Sequence, residues 1–89
     1  MLFMLVNRTR RDLTPEQFQE LGRRAQEFYS NIPRGVTLHG DWAAADGSCT
    51  YALLEAADAG QLEALQAPFR DFVDIETVPV RALDGWNPA

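Results

Sequence analysis

The sequence predicts a small α+β domain with elements in the order βαββαβ, and three observations carry that prediction. Met1–Val6 is a short run that is apolar on both alternating parities, the pattern of a strand covered on two faces. Two later segments pair helix-start residues at Thr14 and Asp58 with apolar residues at helical spacing. Between them, Asp46-Gly47-Ser48 separates two strand-like runs, which marks a hairpin. Two helices cover one face of a small sheet, so the other face needs a different cover.

Length and charge bound the rest. A chain of 89 residues holds one domain, expected over residues 1–83 with a tail at 84–89. At this size only about 60–65% of the unfolded surface is buried, so association is favoured. The net charge of −5 and pI near 4.6 argue against nucleic acid or an anionic membrane as partner. The single cysteine, Cys49, excludes an internal disulfide framework. The first apolar run lacks a basic lead and meets Arg8–Arg11 too soon for a signal peptide or membrane span, which points to the cytoplasm.

Each element has its own punctuation. Thr14 caps the first helix, Pro15 takes the first helical position and Gln17 closes a capping box. Phe18, Leu21, Ala25, Phe28, Tyr29 and Ile32 then form one apolar face. Gly22 weakens this helix, which suggests close packing there. Pro33 ends it. In the strand over 36–44, strict alternation sends Val36, Leu38, Gly40 and Trp42 one way and Thr37, His39, Asp41 and Ala43 the other. The first set, Trp42 included, is expected under the helices. A third strand over 49–56 returns from the hairpin. Asp58 and Gln61 repeat the cap, and Leu62, Leu65, Phe69 and Phe72 continue a helical face that Pro68 interrupts. The fourth strand, over 73–83, contains Pro79 and belongs at a sheet edge. Trp86 is expected to dock on something if the tail is ordered.

With right-handed crossovers this order gives a ferredoxin-like antiparallel sheet, spatial order 4-1-3-2, with both helices on one face. The open face is expected to carry Phe3, Leu5, Tyr51 and Leu53, or the alternating set. Either patch is too apolar for a monomer, so the expected partner is a second copy, sheet against sheet.

Met1-Leu2-Phe3-Met4, Leu53-Leu54-Glu55 and Val73-Asp74-Ile75-Glu76-Thr77-Val78-Pro79-Val80 resemble a family of short bacterial proteins. That family is described as a domain of unknown function and lies in the dimeric α/β-barrel superfamily. The resemblance implies the fold and a cavity. The wider superfamily spans muconolactone isomerase, cofactor-free antibiotic-biosynthesis monooxygenases, polyketide cyclases and haem enzymes. None of their catalytic motifs carries over onto this sequence.

For chemistry, His39 and Asp41 stand two apart on one strand and therefore share a face. A carboxylate beside the only histidine would orient it as a general acid or base. On that parity Asn7, Thr37, Tyr51 and Glu55 would line the same cavity, suited to an aromatic or enolisable small molecule and needing no cofactor. The competing reading makes the pair a solvated edge. His39, Asp41, Cys49 and Glu55 have no recognised metal-ligand spacing. Arg8, Arg10 and Arg11 precede a helix N-terminus, where an anion could bind, or are ordinary surface. Two functions follow: a small-molecule-binding barrel with isomerase-, cyclase- or monooxygenase-type chemistry, or a non-catalytic dimeric module that binds a ligand, a metal or a protein.

Overall fold

The computed structural model of the protein describes residues 1–83; the tail and Trp86 lie outside them. Four strands, β1 (Leu2–Thr9), β2 (Thr37–Ala43), β3 (Thr50–Glu55) and β4 (Val73–Val80), alternate with α1 (Pro15–Ser30) and α2 (Ala59–Gln66). They form one antiparallel sheet in the order β2-β3-β1-β4, the ferredoxin-like arrangement the sequence predicts, read from its other edge. The doubly apolar β1 lies between β3 and β4, and Pro79 sits on the edge strand β4. No helix among the described residues is long and apolar enough to cross a membrane.

The caps form as their residue types dictate. Thr14 Oγ1 accepts from the Gln17 amide at 3.2 Å, and the Thr14 amide donates to Gln17 Oε1 at 2.7 Å, closing the capping box. Asp58 Oδ1 accepts from the Gln61 amide at 2.8 Å. Gln61 reaches one residue further back than a capping box requires, accepting from the Ala57 amide at 2.9 Å. Pro68 ends α2 and splits off a 3₁₀ turn over Ala67–Phe69.

Register decides which side chains form the core. Phe3 pairs with Leu54 and Leu5 with Ala52, and all four face the helices. Phe3, Leu5, Leu54 and Leu62 form the buried centre, with Phe3 only 2% exposed. The expectation that Phe3 and Leu5 join Tyr51 and Leu53 on the open face is therefore corrected. Antiparallel pairing sets Met4 opposite Leu53 and Val6 opposite Tyr51, and those four share the open face with Val78.

Trp42 also departs from expectation. It is 55% exposed and faces away from the helices. Pairing shifts between Leu38 and Gly40, with His39 as the extra residue. A bulge of this kind reverses the parity of everything after it. Leu38 pairs with Leu54 on the helix side, whereas Gly40 pairs with Leu53 and Trp42 with Tyr51 on the open side. The indole lies across Gly40, where a Cβ would stand 2.8 Å from Trp42 Cη2. Any side chain there would lift the ring off the sheet.

No α1 residue is fully buried, and Phe18 on its apolar face is 51% exposed. Gly22 has no neighbour within 4 Å of an added Cβ, so close packing is not its reason. The Gly22→Ala variant should be more stable by about 0.5–1 kcal/mol, raising Tm by roughly 2–8 °C. Calorimetry checks this, and a fall in Tm would mean that this helix position packs against something else.

Candidate functional site

Because α1 stands off the sheet, a cleft of about 240 Å³ opens between the helices and the helix-side face of the strands. Its walls are mostly apolar: Leu21, Ala25 and Phe28 from α1, Leu62 and Leu65 from α2, and Leu5, Ala52 and Ile75 from the sheet. An apolar cavity of about 150 Å³ is enough to hold benzene in another protein, so this cleft has room for a larger ring system. No charged side chain lines it among the described residues.

Five polar side chains, Asn7, Thr9, Tyr29, Thr50 and Gln66, punctuate the cleft wall. Asn7 and Thr50 face each other on β1 and β3, and Asn7 Nδ2 donates to Thr50 Oγ1 at 3.3 Å. Gln66 ends α2 at a position on the apolar stripe and is 5% exposed. Its Nε2 donates to Thr77 Oγ1 at 2.7 Å, and its Oε1 accepts from Arg70 Nη2 at 3.0 Å, so the burial costs little. Tyr29, in the last turn of α1, donates its hydroxyl proton to Asp41 Oδ2 at 2.7 Å across the rim. Burial of that hydroxyl, with the hydrogen bond and negative charge of Asp41 added, pushes the Tyr29 phenol up to about 12.

The expected pairing of His39 with Asp41 is corrected by the bulge. With His39 inserted between Leu38 and Gly40, His39 stays on the open face with Thr37 while Asp41 turns to the helix side. His39 Nε2 meets Glu55 Oε1 at 2.8 Å, while Asp41 is held by Tyr29. The six sequence candidates thus divide. Thr37, His39, Tyr51 and Glu55 share the open face; Asn7 and Asp41 share the helix side, and Asn7 alone of the six lines the cleft. His39 is not part of the cleft wall.

Among the described residues no three His, Cys, Asp or Glu side chains converge as a metal site, so His39, Asp41, Cys49 and Glu55 do not assemble one. From the basic stretch, Arg8 lies 3.6 Å from Glu76 on the open face. Sequence reasoning missed Tyr29, Thr50 and Gln66. For Tyr29 the available signal was a hydroxyl on an otherwise apolar helical stripe, and for Gln66 an amide beside Leu62 and Leu65 at core spacing.

The comparisons with known proteins agree with this architecture. A family model described as Domain of unknown function (DUF3303) matches residues 1–87. The chain belongs to that family. No curated protein sequence matches it. The fold is similar to the crystal structure of muconolactone isomerase, with a TM-score of 0.69 and 19% identity over 100% of this chain and 98% of that one. It also resembles a crystal structure from Streptomyces coelicolor A3(2), with a TM-score of 0.51 and 20% identity over 92% of this chain and 100% of that one. A conserved protein from Methanosarcina mazei Go1 gives a TM-score of 0.54 and 14% identity, covering 91% of this chain and 94% of that one. At such identities the likeness establishes the ferredoxin-like fold of the muconolactone isomerase type and nothing about chemistry.

This DUF3303 chain has a spectroscopic signature at its cleft rim. A phenol whose folded pKa is raised adds stability that is fully present below its unfolded value of 10.0 and lost as pH rises toward about 12. The ultraviolet difference between the wild type and Tyr29→Phe should therefore show phenolate absorbance emerging near pH 12. In Asp41→Ala the same transition should move part of the way back toward 10, because burial of the hydroxyl persists. A Tyr29 transition at the ordinary value in the folded protein would contradict the hydrogen bond.

Proposed function

We propose that this protein binds a small aromatic or enolisable molecule in the cleft between its helices and its sheet. The observation that carries this is the cleft itself, about 240 Å³ of mostly apolar wall punctuated by Asn7, Thr9, Thr50, Gln66 and Tyr29. Ligand sites are mostly apolar concavities with a few convergent polar groups. The likeness to muconolactone isomerase supports a small-molecule role at the level of fold alone. Any acid–base chemistry on such a ligand falls to Tyr29 and Asp41, because His39 is turned to the other face. That turn also favours a second reading, a binding module without catalysis.

Methyl-resolved NMR with naphthalene as probe tests the site. Shifts are expected at Ala25, Ala52 and Leu65, with Met4 and Val78 unmoved. Absence of binding at the probe's solubility limit, or shifts confined to Met4 and Val78, would sink the cleft reading.

The open face supports pairing with a second copy. Met4, Val6, Leu53, Tyr51, Val78 and Trp42 make one apolar surface around the His39–Glu55 pair, on a domain that is marginal alone. A twofold dimer that packs this face on itself would cover it. Native mass spectrometry at micromolar concentration should give a dimer for the wild type and a monomer for Met4→Glu. A wild-type monomer would remove this part of the proposal and leave the cleft untouched.

A further inference from the structure

The polar side chains of the cleft also define which ligand it prefers. A tyrosine hydroxyl has one proton to donate and two lone pairs to accept with. At Tyr29 the proton is already committed to Asp41 Oδ2, at 2.7 Å. What Tyr29 offers a ligand is therefore an acceptor oxygen, its electron density raised by the carboxylate behind it. A ligand that needs a donor from Tyr29 must first break the hydrogen bond to Asp41, whereas one that brings its own O–H extends the chain.

Charge adds a second constraint. No Arg, His or acidic side chain lines the cleft among the described residues. The nearest guanidinium in the network, Arg70, binds the outer side of Gln66 at 3.0 Å. An anion entering the cleft would lose hydration without a counter-charge and would meet the field of Asp41 at the rim.

We infer that the cleft selects a neutral ring compound bearing a phenolic or enolic hydroxyl, read by Tyr29 as hydrogen-bond acceptor with Asp41 fixing its orientation. This rests on the cleft being the ligand site. Within the ferredoxin-like frame it separates this chain from any relative whose substrate carries a carboxylate. Tyr29 touches the ligand; Asp41 is a positioning residue that acts through Tyr29.

Calorimetric titration with three matched probes at pH 7 tests it: 2-naphthol, 2-methoxynaphthalene and 2-naphthoate. The wild type should bind 2-naphthol about tenfold more tightly than the methyl ether, the worth of one hydrogen bond to a polarised acceptor. The carboxylate should bind at least about tenfold more weakly than the phenol. In Tyr29→Phe the preference for the phenol should disappear, with the ether's affinity within about twofold of wild type. In Asp41→Ala the released Tyr29 proton can serve the ether oxygen, so the preference should vanish or reverse. Asp41 is exposed, so this second variant leaves the core intact.

Equal affinity of wild type for phenol and ether, with binding at the cleft, overturns the inference and leaves the cleft reading standing. So does a preference that survives in both variants, or tighter binding of the carboxylate. Failure of all three probes to bind removes the cleft reading together with the inference.

Discussion

One inserted residue organises the chemistry of this molecule. Between Leu38 and Gly40 the pairing of β2 with β3 slips by a single position, and His39 is the residue left over. Because strand side chains alternate, that slip exchanges the two faces for the rest of the strand. Asp41 turns to the helix side, where Tyr29 reaches it, and Trp42 turns to the open side, where it lies on Gly40. Without the bulge His39 and Asp41 would share a face and Tyr29 would lack its acceptor. The Tyr29–Asp41 pair is the product of one backbone irregularity.

The other determinant is the incomplete seating of α1. A helix whose apolar face were fully packed on the sheet would leave no cleft. Here the lower core is closed by Phe3, Leu5, Leu54 and Leu62, while Leu21, Ala25 and Phe28 face a gap. Within the helix Thr14 and Gln17 form the cap and Glu20 pairs with Arg23 and Arg24. Its ties to other elements include Arg24 Nη1 donating to the Pro68 carbonyl, Tyr29 donating to Asp41, and Phe28 meeting Phe69 edge-on. The hydrogen bonds and charges of Arg23, and after it Arg24, hold the Glu20 carboxyl down at about 2. Such surface contacts are individually weak. A helix attached this way can adjust its distance from the sheet more easily than one locked by buried side chains.

The fold was legible because it is written in local punctuation. Caps at Thr14 and Asp58, the hairpin turn at Asp46–Gly47 and the prolines at 33, 68 and 79 each act over a few residues, and the topology follows from chirality. The site was only partly legible. Asn7 was found, and the one available histidine was named, but the assignment of faces on β2 assumed strict alternation. Gly40 was the warning, since an isolated glycine in a strand pattern marks a bulge or a close approach. Here it marks both. Phe3 and Leu5 were offered for the open face for a related reason: β1 is apolar on both parities, so register alone decides which set goes inside. Tyr29 was read as a helix-face residue and Gln66 was not singled out, because their polar ends find partners, Asp41 and Thr77, that only tertiary structure brings near.

The division of faces by the bulge is open to one direct measurement, nuclear Overhauser contacts in the isotope-labelled protein in solution. Expected are contacts from the Tyr29 ring to the Asp41 methylene and the Ala52 methyl, and from the His39 ring to Glu55. Contacts of the Trp42 indole with the α1 side chains, with none between Tyr29 and Asp41, would mean that β2 alternates without the inserted residue. In that case His39 and Asp41 would share a face after all, and the chemistry assigned to the cleft would have to be rebuilt around them.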